Sequence, residues 1–307
     1  MKQRLLWLLA RLTLILSLMV LSMVPLSAFA ATTPSTSNSV ALHRPHFFWK
    51  PGSHRRHPIV AAAGNNLPYG GGPVMSGTTN VYAIFWEPTG NVSAPYNSLM
   101  ERYFQDVGGT PLYRNNTQYT DSSGGFPSNA VFTGSWVDNS AYPESPLLDS
   151  DIQNEVTNAL NANGWSPSID NIFFVFTEAG QDLCFDSTQS ECASNAFCAY
   201  HSFFGTNTIY AAMPYAASFS CDPGGPYPNN SDADLTINVT SHEQMEAATD
   251  PLLNAWVDSS NQEVGDKCAW TFGPRNSTGA DVTWNSHGYL VQQEWDNHVS
   301  GCVLSGP

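Results

Sequence analysis

Ser241-His242-Glu243-Gln244-Met245-Glu246-Ala247-Ala248-Thr249-Asp250-Pro251 is the stretch on which the reading of this chain turns. Its His-Glu-x-x-Glu core falls where a helix is expected: Asp232 or Asp234 can cap it, Leu235 and Val239 extend an apolar face, and Pro251 stops it. Residues four apart on an α-helix stand one turn above each other, so His242 and Glu246 project from one face while Glu243 is offset to the side. An imidazole and a carboxylate that converge in this way can hold a divalent cation, leaving the second carboxylate to take a proton from bound water. Glu246 stands where the familiar metal-binding pattern has a second histidine, so the match is partial. The plainer reading of the same spacing is an amphipathic helix whose His and Glu are surface or hydrogen-bonded core residues.

A tightly held zinc ion needs at least one more protein ligand. Asp250, Asp258, Glu263 and Asp266 are the candidates. Asp250 lies on roughly the same face as His242 but at the helix end, where it can equally cap backbone. Glu263 is expected as the third ligand and Asp266 as a partner that orients His242. Two carboxylates and one imidazole nearly neutralise a dication; zinc is the expected ion, with Mn or Ca left open. Glu243 is the expected general base. His201 is a candidate to hold substrate or stabilise an oxyanion if its strand borders the cleft, the alternative being a structural histidine. There is no GxSxG elbow and no dinucleotide or phosphate-loop fingerprint, and Glu243 and Glu246 are too close for a glycosidase pair.

Outward from this stretch, the 307 residues with 42% hydrophobic content suffice for a large core. Met1 to Ala30 has the form of a secretory leader: Lys2 and Arg4, an apolar run, then Ala28-Phe29-Ala30 as a cleavage site. Cleavage leaves no stable membrane span. Residues 31–68 are Pro-, Ser- and His-rich and basic, and are expected to be a linker, wall tether or propeptide. Seven of the 11 Lys and Arg precede residue 69, whereas all 26 Asp and Glu follow it. A surface so acidic repels nucleic acid and anionic lipid. Cys184, Cys192, Cys198, Cys221, Cys268 and Cys302 are an even number in an exported chain, which favours disulfides, with Cys268 expected to pair with Cys302.

Residues 69–307 read as one α+β domain. A strand is expected at 80–86, helices at 97–107 and from Asp149 or Ser150 to about Asn163, a central strand at 171–177, another around 207–213, then the motif helix. Residues 110–148 show short aromatic runs without a readable order. Strands, a long buried helix with a metal motif and a disulfide-tied C-terminal part form an order that resembles zincin-type metallopeptidases.

The chain also resembles the phosphate-induced protein 1, or EXORDIUM-like, family of secreted proteins. The matching pieces are Gly71-Gly72-Pro73-Val74-Met75, Cys198-Ala199-Tyr200-His201, the motif stretch through Pro251, Asn254-Ala255-Trp256, Glu263-Val264-Gly265-Asp266-Lys267-Cys268 and Tyr289-Leu290-Val291-Gln292. The resemblance implies an extracellular or wall-associated protein. Two functions follow as expectations: a secreted zincin-like metallohydrolase, most plausibly a peptidase on an extracellular protein, peptide or wall substrate, or a non-catalytic extracellular protein in which the same residues hold a structural ion or a polar network.

Overall fold

In the computed structural model, which describes residues 44–51 and 66–307, the apolar run Asn171–Thr177 is a strand with parallel neighbours on both sides. The elements are, in chain order, β1 (Phe47–Trp49), β2 (Gly77–Trp86), α1 (Tyr96–Val107), the single turn α2 (Pro111–Arg114), β3 (Pro127–Asp138), β4 (Leu147–Leu148), α3 (Asp149–Asn163), β5 (Asn171–Thr177), β6 (Leu183–Cys184), β7 (Phe197–Phe204), β8 (Thr208–Met213) and α4 (Ser231–Thr249). Four short strands close the chain: β9 (Val282–Trp284), β10 (His287–Tyr289), β11 (Glu294–Asp296) and β12 (Gly301–Val303).

The main sheet has the order β1-β7-β8-β5-β2-β3. Its β2, β3, β5 and β8 run parallel, while β7 and β1 are antiparallel to their neighbours. This is a mixed sheet of an α+β protein, with helices on both faces. On one face Phe104 of α1 packs its ring 4.9 Å from Phe174 and 6.1 Å from Phe132. On the other, Tyr82 stacks on Phe173 and meets Trp165, just beyond α3. Burying rings of this size contributes about 2–3 kcal/mol each before the entropy of ordering them is set against it.

Period-two alternation decides what each face receives. Tyr200 of β7 and Tyr210 of β8 both donate to Asp149 Oδ1 at the start of α3, at 2.8 and 2.5 Å. His201, one residue on, therefore points to the opposite face, where α4 lies against β7 and β8. Helix α3 ends at Gly164, whose φ of 66° is the left-handed conformation that closes a helix. Helix α4 starts differently from expectation: Asn230 is the cap, its side chain accepting from Ala233 N, and Asp234 reaches back to Asn229 N and Asn230 N. The unreadable stretch 110–148 contains β3, whose outer edge is exposed and whose Val131 and Val137 face solvent.

Phe47–Trp49, within the stretch expected to be linker or propeptide, is edge strand β1 of this sheet. The leader and the rest of residues 1–43 lie outside the described residues. Among the described residues no helix is long and apolar enough to cross a membrane.

All six cysteines are paired, Cys184–Cys192, Cys198–Cys221 and Cys268–Cys302, the last being the expected bond. Thiol titration of the unfolded, unreduced protein should find no free thiol. Cys268 and Cys302 are 34 residues apart in sequence, and by loop entropy their bond contributes about 4 kcal/mol. The Cys268→Ser/Cys302→Ser double variant should lose roughly that much in denaturant titration, and an unchanged midpoint would show that the C-terminal part is held by packing alone.

Candidate functional site

Helix α4 is not amphipathic. Every residue from Ala233 to Thr249 is buried, because β7, β8, α1, β1 and the segment after residue 263 surround it. A helix buried on all sides must satisfy its polar side chains internally. Gln244 Oε1 accepts from Tyr103 Oη at 3.0 Å, Asn238 Oδ1 accepts from Gln292 N at 2.9 Å, and Thr240 Oγ1 donates to Thr236 O at 2.8 Å. These bonds fix the rotation of the helix and so the direction of His242, Glu243 and Glu246.

Two groups of side chains meet there, and Glu246 belongs to both. In the first, His242 Nε2 lies 3.1 Å from Glu246 Oε1 and 3.8 Å from Asp266 Oδ1. In the second, His201 Nδ1 lies 3.4 Å from Glu243 Oε2 and 3.8 Å from Glu246 Oε2. Glu263, expected as third ligand to His242, instead lies 3.7 Å from His201 Nε2, and Asp266 takes the place beside His242. The reason is the 3₁₀ turn Asp266–Cys268: Asp266 N donates to Glu246 Oε1 at 2.9 Å, which brings the Asp266 side chain onto the His242 face.

Asp250 caps the helix end, its Oδ1 accepting from Asn254 N and Ala255 N at 2.5 and 2.6 Å, while on the cluster side its carboxyl meets that of Glu263. Asp258 lies apart. It orders its own turn through Ser260 N and Gln262 N and sits 3.7 Å from Lys267 Nζ. Two residues that spacing did not single out complete the cluster: Glu294, fully buried on β11, and His46, whose Nδ1 is 2.9 Å from Glu263 Oε2.

The imidazoles are held from behind. Gln292 Nε2 lies 3.0 Å from Gly265 O, to which it donates, and 2.8 Å from His242 Nδ1, so as placed the ring accepts at Nδ1 and carries its proton on Nε2. Gly265 is needed at this point: a Cβ there would come within 2.6 Å of His242 Nδ1. His201 Nε2 faces the backbone oxygen of Asp250 at 3.3 Å; a carbonyl only accepts, so this nitrogen bears the proton and Nδ1 is left to accept from Glu243. The far end of α4 is braced by a glycine turn. Gly70 N and Gly72 N donate to Ala255 O and Asn254 O at 2.5 and 3.0 Å, and Met75 N to Ala248 O at 3.0 Å. A Cβ at Gly72 would overlap the Asn254 side chain.

Burial dominates the electrostatics. Glu243, Glu246, Asp250, Glu263, Asp266 and Glu294 all have their pKa raised, above all by desolvation, and all but Asp250 also by the charge of neighbouring carboxyls, while the histidines and the hydrogen bonds they accept work the other way. Glu246 is brought to about 7. His201 and His242 are pushed down by the same desolvation. Among the described residues no Lys or Arg pairs with any of the six carboxyls. His242 Nε2 and Glu243 Oε1 have no hydrogen-bond partner among the described residues, and Glu263 meets Glu246 and Asp250 carboxyl to carboxyl, contacts that are satisfied only if a proton is shared. Such a cluster is neutralised either by protons or by a cation.

A pH dependence follows. A carboxyl whose folded pKa is raised gives stability that is complete below its unfolded pKa and lost as pH rises through the folded value. The lowered histidines act in the opposite sense, but their contribution is complete once pH exceeds about 6.5. In chelator the melting temperature should therefore fall between about pH 6.5 and about pH 8, and Glu246→Gln should flatten part of the fall. A transition independent of pH across that window would show that the carboxyls stay ionised and are paired by other means.

Comparison with known proteins agrees with the resemblance read from the motifs. The chain is 25% identical over 297 residues to Protein EXORDIUM-like 5 of Arabidopsis thaliana, an alignment that covers 79% of this chain and 78% of that one. No family model matches, and no solved structure matches. Glycine turn, capped helix end and the Gly265 loop are built from the very segments that carry the resemblance, and over most of its length the chain is similar to EXORDIUM-like proteins.

Proposed function

We propose that the chain is an exported, zincin-like, metal-dependent hydrolase that acts on peptide bonds of an extracellular or wall-associated substrate. The single observation that carries this reading is the convergence of His242, Glu246 and Asp266, with the free, fully buried atoms His242 Nε2 and Glu243 Oε1 among them. One imidazole and two carboxylates suit zinc, and also Mn. His242, Glu246 and Asp266 are the residues that would hold the ion, with Glu263 and Asp250 one step removed. When bound, the ion would supply Lewis acidity and a more acidic water.

The protein's own groups do the rest. Glu243 Oε1 is the free carboxyl oxygen next to the ligands, and it accepts the proton of an attacking water. Burial pushes the Glu243 carboxyl up, and its Oε2 lies 3.4 Å from His201 Nδ1; a cation among these carboxyls would lower their pKa and favour Glu243 as base. His201 then takes up the proton or steadies a developing oxyanion. Export is supported by the leader-like N-terminus and by three disulfides, which fit an oxidising compartment.

One observation favours the other reading, a non-catalytic protein with a polar network at these residues. Gln292 donates to His242 Nδ1, whereas ligation through Nε2 needs a proton on Nδ1 and an acceptor there. Metal binding therefore requires Gln292 to turn its amide, which leaves Gly265 O without its donor. Gln292→Glu, which offers that acceptor outright, should tighten zinc binding.

Metal analysis of the purified protein should find about one ion per chain, lost in His242→Ala and Glu246→Ala and much weakened in Asp266→Ala. Glu243→Gln should keep the ion and the fold while lowering hydrolysis of an unstructured protein by at least about 100-fold, the scale of a lost general base. A chain that binds zinc, Mn and Ca in none of these assays would retire the hydrolase reading in favour of the polar network.

A further inference from the structure

The buried cluster has a cover of a different kind from the rest of its walls. Along Arg44–Lys50 the chain lies extended against the outer edge of β7, with Phe47 opposite Tyr200, Phe48 opposite Ala199 and Trp49 opposite Phe197, and Lys50 N donates to Ala196 O at 3.1 Å. Alternation sends Phe47 among Phe197, Phe185 and Tyr200 on the α3 side. It sends His46 and Phe48 to the cluster side. Phe48 stacks on the His242 ring at 3.9 Å and on Trp270 at 4.7 Å and is fully buried, and His46 reaches Glu263. Trp270 Nε1 donates to Trp49 O at 3.0 Å, and Arg44 pairs with Glu191. A cleft of about 340 Å³ beside this strand is lined by Pro45, His46, Trp49, Asn261 and Asp266, so through Asp266 the cluster borders a cleft that runs beside the strand.

We propose that the edge of β7, with the slots for Phe47 and Phe48, is a binding groove for an extended peptide bearing an aromatic residue, and that the chain's own residues 44–50 occupy it and hold the cluster closed. Everything that fixes the segment is what an edge strand offers any peptide: main-chain pairing for affinity and alternate side-chain slots for selectivity. Covalent attachment supplies the occupancy. A peptide that is part of the same chain as its groove meets it at an effective concentration on the order of 1 mM, whereas a severed one is diluted to that of the solution. Opening the groove bares His242 and the edge of β7 together, so the position that the segment vacates is the position in which a substrate peptide would lie. As an account of a hydrolase's regulation this rests on the function proposed above; the groove and its occupant do not.

The test inserts a specific protease site between Pro58 and Ile59 of the full chain, which is cut after folding and passed through gel filtration. Diethyl pyrocarbonate modification of His242 and His201 in the presence of chelator, mapped by mass spectrometry, reads the closure without calling on metal or hydrolysis. Uncut protein should be protected. Cut protein should release the N-terminal fragment, keep its far-ultraviolet spectrum and react at His242 at least tenfold faster; a synthetic peptide of residues 44–51 should restore protection, and the same peptide with Phe48→Ala should not. In the uncut chain, Phe48→Ala should raise the reactivity of His242 by itself. A fragment that stays bound with His242 still protected, or a chain that unfolds when the fragment leaves, would make the segment an ordinary part of the core and overturn the proposal. An opened groove in a protein that neither takes up zinc nor hydrolyses would leave the proposal standing and remove the hydrolase reading instead.

Discussion

Six carboxyl groups share the interior around one helix with two imidazoles, and most of the C-terminal half follows from holding them there. Five of them are cut off from water and Asp266 only borders a cleft, while Lys267, next in sequence to Asp266, turns to Asp258 and the Trp295 ring. What remains is protonation or a shared cation, and either requires donor atoms to be placed within a few tenths of an ångström. Hence the supports behind them: Gln292 on His242, the Asp250 carbonyl on His201, Asp266 N on Glu246. A single side chain, Glu246, belongs to both groups, so the two imidazoles are linked through one carboxylate.

The supports come from distant parts of the chain. The turn at Gly70–Gly72 holds Asn254 and Ala255, which Asp250 has already bent away from the helix axis. Cys268–Cys302 ties the Asp266 turn to the strand that follows β11, the strand of Glu294. The segments on which the resemblance to EXORDIUM-like proteins was read are among those that pack around the cluster. Likeness at them speaks for the scaffold and leaves the chemistry to be measured.

Much of the scaffold could be read from pattern. Asn171–Thr177 is apolar without interruption because both faces and both edges of β5 are covered, and Gly164 marks the end of α3 because a left-handed residue is wanted there. The helix around His242 was legible too, but its complete burial was not: its Thr, Asn, Gln and Glu residues look like a solvated face until their partners, Tyr103 and Gln292, are known. Asp266 stands beside His242, where a partner of that ring was expected, but on its Nε2 side, and Glu263 lies nearer His201, because order along a loop does not say which side chain the next turn brings round. His46 and Phe48 were hidden by their neighbours' composition. Phe47-Phe48-Trp49, three aromatic residues in a stretch otherwise rich in Pro, His, Ser and Arg, was the signal that the stretch is not all solvated tether.

The closeness of Gly265 to the His242 ring has a consequence for evolution. A side chain at 265 and an imidazole at 242 exclude each other, since the added carbon would lie inside the ring's own contact radius. Descendants that give up the histidine for a small residue are released from the glycine as well, and only they are free to accept a side chain there. Positions 265 and 242 are therefore coupled: a residue larger than glycine at 265 is expected only in a chain whose position 242 no longer carries the imidazole in this place.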